Sequence, residues 1–150
     1  MAAVEIIEGE IFRDARGKIA SLNNFGFELV RRVYFITHPD TSVIRGWHGH
    51  KLERKWFYCV YGSFTIGLVE IDDWRKPSPN LRPTWLNLND QESRIVCIPA
   101  GWASWIKAEK ADSTLMVMSE KTYDEAMASN DSYRFPQDMW LDELPNQEKK

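Results

Sequence analysis

Short runs of alternating or continuous apolar residues, separated by turn residues, dominate the chain. Leu29–Thr37 (LVRRVYFIT) is rich in β-branched and aromatic residues, and His38–Ser42, with Pro39 and Asp40, breaks it. Val43–His50, Lys55–Tyr61 and Phe64–Ile71 read as consecutive strands, with Gly62–Ser63 as a turn between the last two. Trp85–Leu88, Ser93–Ile98, Trp102–Ala108 and Thr114–Ser119 continue the series. Near the N-terminus, Glu5–Phe12 alternates weakly, Asp14–Gly17 reads as a turn and Lys18–Asn23 as a short strand. Lys76–Pro83 carries three prolines and is a loop. Helical signal is confined to Tyr123–Met127 and a second candidate at Gln137–Leu144, before a polar tail from Pro145. Many short strands at regular spacing predict an all-β antiparallel sandwich or barrel.

Length changes this picture only by limiting it to one domain over residues 1–150. Charge excludes more. A net charge of −3, with no basic block longer than a pair, argues against nucleic-acid binding. No apolar run is long enough to span a membrane as a helix, and Met1–Glu5 opens no secretory pattern, so a cytoplasmic protein is expected. Cys59 and Cys97 sit inside apolar runs and read as reduced core thiols.

The candidate chemistry lies in Arg45-Gly46-Trp47-His48-Gly49-His50-Lys51. Residues two apart on a strand share a face, so His48 and His50 project together. Paired imidazoles serve metal binding or proton transfer. Arg45, Lys51, Arg54 and Lys55 supply local cations for a negatively charged ligand. Trp102 and Trp105 flank Ser104, and one of them is a candidate pocket wall.

The spacing resembles the cupin superfamily, whose first motif runs Gly, HxH, Glu, Gly. Gly62 fits the closing glycine, but Lys55 stands at the Glu position, and Pro99-Ala100-Gly101-Trp102-Ala103-Ser104 carries Ser104 where the second motif has its histidine. An ammonium has no lone pair and repels a divalent ion, so no metal is expected. His38 or Glu53 would complete a metal set only through unusual geometry.

A closer resemblance, over roughly residues 10–140, is to the metal-independent cupins that isomerise nucleotide-linked 4-keto-6-deoxy sugars. Asp14–Lys18, Arg32–Ile36, Arg45–Lys51 and Tyr123–Glu125 resemble the 3,4-ketoisomerase pattern. That resemblance implies His50 as general base, His48 as its partner, Tyr34 as a pocket hydroxyl and Arg45 as a substrate contact. The 3,5-epimerase branch is similar at other points: His48 after Arg-Gly-x matches its base, and Lys55 its lysine near the enolate oxygen. Its acid tyrosine aligns near Met116. The resemblance thus implies a cofactor-independent isomerase or epimerase in a jelly-roll β-sandwich with a short C-terminal helix, paired as a homodimer. The expected site is His48, His50, Lys55 and Tyr34 for catalysis, with Arg45, Lys51 and Trp105 for a nucleotide-sugar substrate. Tyr58 and Tyr61 are further candidate acids. The choice among 3-epimerase, 3,5-epimerase and 3,4-ketoisomerase stays open. The rivals are a cupin that binds a sugar or sugar nucleotide without turnover and a metal-dependent cupin enzyme.

Overall fold

Strand parity sorts the side chains onto two faces, and the computed structural model, which describes residues 3–145, shows which face each sheet buries. The strands are β1 (Glu5–Glu8), β2 (Glu10–Asp14), β3 (Gly17–Ser21), β4 (Arg32–His38), β5 (Ile44–His50), β6 (Lys55–Tyr61) and β7 (Ser63–Glu70). They continue as β8 (Thr84–Asn89), β9 (Arg94–Ile98), β10 (Trp102–Ala108), β11 (Ser113–Ser119) and, after helix α1 (Tyr123–Ser129), β12 (Tyr133–Arg134). One five-stranded sheet runs β1-β9-β6-β11-β4 and the other β12-β5-β10-β7-β8; β2 and β3 form a separate hairpin. Every pairing is antiparallel. The fold is a cupin-like antiparallel β-sandwich.

The inner faces meet in a core of Phe57, Cys59, Phe64, Ile66, Leu68, Leu88, Val96, Ile98, Ile106, Leu115 and Val117. Burying each large apolar side chain stabilises the fold by about 1.5–3 kcal/mol. Gly62, with φ +86°, makes the β6–β7 turn, and a Cβ there would collide with Ser113.

The outer face of the second sheet carries a cluster of Trp47, Val69, Ile71, Ala103, Trp105 and Trp140. Segment 135–144 straps across this cluster. The segment is not the expected second helix. It runs as turns, held where the indole of Trp47 donates to the Met139 carbonyl (2.8 Å), that of Trp105 to Gln137 (3.0 Å) and that of Trp140 to Ser78 (2.8 Å). Burial of Trp140 against the sheet fixes this path, which a helical repeat would not follow.

Helix α1 begins with a capping box, Thr122 and Glu125 bonding each other's backbone amides, and ends at Asn130 in the left-handed region (φ 53°). That cap turns the chain so that the next residues, Asp131 and Ser132, reach the end of β5.

Candidate active site

A cavity of about 580 Å³ opens between the two sheets. Tyr34, Lys55 and Phe57 line it from the first sheet, and Arg45, His48, His50, Trp102 and Ser104 from the second. Its size suits a small organic ligand.

The parity of β5 places His48 and His50 in the cavity, their rings 4.7 Å apart and tilted by 47°. The β5–β10 register pairs Ser104 with His48 but Trp105 with Gly46, so Trp47 is an extra residue and turns to the outer cluster. His50 Nδ1 lies 2.8 Å from the Asp131 carbonyl oxygen. A carbonyl only accepts, so Nδ1 carries the proton and the lone pair of the neutral ring sits on Nε2. His48 Nε2 lies 2.8 Å from the Ser132 hydroxyl. Burial, then the neighbouring His50, Arg134 and Lys55, pulls the His48 pKa from 6.5 down to about 3. Burial and the Lys55 charge lower that of His50 as well, against the pull of Glu53. Both rings are therefore neutral at pH 7.

Beneath them lies Glu53, 3% exposed. Its carboxylate accepts from Ser119 Oγ and meets Arg32 at 3.3 Å, Lys55 at 3.6 Å and His50 at 3.7 Å. Burial raises its pKa, but the Ser119 hydrogen bond and the neighbouring Lys55, His50 and Arg32 outweigh that, and the net shift is downward. Lys55, only 7% exposed, thus has an ionised counter-charge, and it donates to the Tyr34 hydroxyl at 2.8 Å.

His50, Glu53 and Asp131 come close enough together to consider a metal. The donor set does not fit one. Both Asp131 carboxylate oxygens accept from the Lys51 and Leu52 amides (2.7 and 2.8 Å), and two cations, Arg32 and Lys55, flank Glu53. His38 contributes nothing here: it is fully buried beside Phe64, and neither ring nitrogen has a hydrogen-bond partner among the described residues.

Of the residues expected from sequence, the cavity brings together His48, His50, Lys55, Tyr34 and Arg45. Trp105 is a correction. It is 1% exposed in the outer cluster, because three residues along a strand reverses the face; Trp102 lines the cavity instead. Lys51 is a second correction: β5 ends at His50, and the Asp131 carboxylate turns the exposed Lys51 away from the cavity lining. Arg54 pairs with Glu120 and lies over Trp56. Tyr58 bonds Ser93, Tyr61 is exposed, and Met116 packs with the outer-face cluster around Trp56. A tyrosine at 116 would not face the cavity.

Four contributors were missed: Glu53 as the buried hub, Asp131, Ser132 and the cavity-lining Arg134, paired in register with His48. Sequence parity on β5 and β6 locates none of them. Arg45 and Arg134 have no ion-pair partner among the described residues.

The model of the family described as FdtA: WxcM-like, C-terminal matches residues 2–140. Among curated proteins none matches the chain. The fold is similar to the sugar 3,4-ketoisomerase QdtA of Thermoanaerobacterium thermosaccharolyticum, solved in complex with TDP. The two are 26% identical over 88% of each chain, with a TM-score of 0.66. It is also similar to the rmlC epimerase of Mycobacterium tuberculosis, 26% identical over 88% of this chain and 68% of that one, TM-score 0.70. The 3'-monoepimerase ChmJ of Streptomyces bikiniensis, solved with dTDP-quinovose, shares the fold at 21% identity over 80% of this chain and 65% of that one, TM-score 0.65.

Proposed function

The chain belongs to the FdtA family, WxcM-like, C-terminal, and from that premise we propose that it isomerises or epimerises a dTDP-linked 4-keto-6-deoxyhexose without a cofactor. The observation that carries this reading is the pair of neutral imidazoles, His48 and His50, held in a cavity that also contains the Lys55–Tyr34 pair.

The chemistry begins with removal of a proton from the carbon beside the C4 ketone. His50, with its lone pair held on Nε2, is the base. The electron pair moves onto the ketone oxygen, and the Lys55 ammonium stabilises the enolate. Lys55 already donates to the Tyr34 oxygen, which leaves the phenol's own hydrogen free to donate. The second imidazole, His48, returns a proton. Return to the same carbon from the opposite face inverts it; delivery to C4, with the C3 hydroxyl proton passing to the C4 oxygen, moves the ketone to C3. Arg45 and Arg134, without an ion-pair partner among the described residues, suit the diphosphate.

A homodimer belongs to the same reading. Its support is the exposed apolar pair Val33 and Phe35 on edge strand β4. No helix among the described residues is long and apolar enough to cross a membrane, and a cytoplasmic location is part of the proposal.

The test is proton NMR of dTDP-4-keto-6-deoxyglucose incubated with the protein in deuterated water. Deuterium at C3 and C5 identifies a 3,5-epimerase. Deuterium at C3 alone identifies a 3-epimerase or, with a 3-keto product, a ketoisomerase. Binding without exchange would replace this reading with that of a binding protein.

A further inference from the structure

The two imidazoles have unlike second partners. His50 donates to a carbonyl oxygen, which can neither give nor relay a proton. His48 meets a hydroxyl, which can do both, and Ser132, which carries it, is exposed to solvent. Asp131 holds this arrangement in place. It is 5% exposed, its carboxylate caps the Lys51 and Leu52 amides, and its carbonyl takes the His50 proton donor, so the next residue, Ser132, is delivered to His48. No other hydrogen-bond partner reaches either histidine ring among the described residues.

We infer that Ser132 is the proton port of the site, a positioning hydroxyl that acts through His48 and connects it to water. The inference rests on the assignment of proton transfer to the histidine pair. His48 gives the proton on Nδ1 to the sugar while its Nε2 takes the hydroxyl proton of Ser132, and Ser132 takes one from water. Drawing that proton leaves a hydroxide; after turnover the proton taken from the sugar leaves His50 and neutralises it, and His48 returns through solvent to the Nδ1–H tautomer. Charge and protons balance, and the hydrogen delivered to the product is a solvent hydrogen.

Two substitutions of nearly equal shape separate the hydroxyl from the space it fills. Ser132→Thr keeps the hydroxyl; Ser132→Val replaces it with a methyl group that also keeps water out. Deuterium incorporated per turnover of dTDP-4-keto-6-deoxyglucose in deuterated water is the first readout. The threonine variant is expected to keep the wild-type ratio and the valine variant to lose it several-fold, as His50 returns its own proton instead. The second readout needs no substrate: exchange of the His48 ring N–H proton with solvent, followed by nitrogen-edited NMR on the full chain. Valine slows it several-fold at His48 and not at His50; threonine does not. A wild type without turnover would sink the proposed reaction, and the ring exchange would still decide the port. Equal ring exchange in the two variants overturns the port, as does an equal deuterium ratio.

Discussion

The Lys55 ammonium and the Tyr34 phenol meet at 2.8 Å inside the cavity, and the same ammonium stands 3.6 Å from the buried carboxylate of Glu53. One lysine therefore joins a buried carboxylate to a phenol whose hydrogen it leaves free. In Lys55→Met the enolate loses its cation, and kcat is expected to fall by about 10²–10³, the scale of removing one donor at a developing oxyanion. Tyr34→Phe removes the phenol and leaves Lys55 on Glu53. Its expected signature is a lowered kcat or a changed product ratio rather than loss of binding. Product analysis by NMR alongside kcat and KM checks both; a Lys55→Met enzyme with wild-type kcat would refute the role.

His48→Asn and His50→Asn test the pair directly. Each is expected to lower kcat by about 10²–10⁴, the contribution of a positioned acid or base. Circular dichroism should show an unchanged fold. Full activity in both variants would remove the proposed site.

The acid limb of the rate profile follows from the depressed imidazole pKa values. Burial holds His48 near 3, so it stays neutral well below 6.5, and burial and Lys55 lower His50 from 6.5 in the same direction. The acid limb of the free-enzyme kcat/KM should therefore be centred below 6.5. An acid limb centred at 6.5 would show that at least one ring is not desolvated as described.

Stability has the opposite sensitivity. His38, His48 and His50 each have a folded pKa below 6.5, so below that pH the unfolded chain binds more protons than the folded one. Stability therefore rises with pH in this window. It is fully present above pH 6.5 and is lost progressively as pH falls toward the folded values. Urea midpoints measured at pH 7.5 and pH 5 should show the lower midpoint at pH 5, at equal ionic strength.

Trp105→Phe separates core from pocket. The variant loses the bond to the Gln137 carbonyl and part of the packing against Trp47 and Trp85. A cost of about 1–3 kcal/mol in stability is expected, with KM unchanged. A raised KM at unchanged stability would return Trp105 to the substrate.

Much of the architecture is legible locally. Strand β6 (Lys55–Tyr61) and strand β10 (Trp102–Ala108) match the runs read from sequence, because alternation and β-branched content are properties of neighbouring residues. The same locality puts His48 and His50 on one face, and it already implies that Trp102 and Trp105 oppose each other. Lys55 heads an apolar strand, so its burial is also foreshadowed in the sequence.

Which face became the cavity was decided by packing between sheets. So was the company the histidines keep. Asp131 and Ser132 lie 81 and 84 positions from the rings they bond, behind a helix cap and under a strap fixed by Trp47, Trp105 and Trp140. Glu53 reads in sequence as one more charge after a histidine motif. It becomes the ionised hub only when β4 and β11 bring Arg32 and Ser119 against it. Period and propensity act over a few residues, whereas burial and hydrogen-bond partners depend on contacts across the whole chain. The sequence by itself therefore determined the strands and the histidine pair, and the tertiary structure decided which groups the two rings bond and that burial lowers their pKa values.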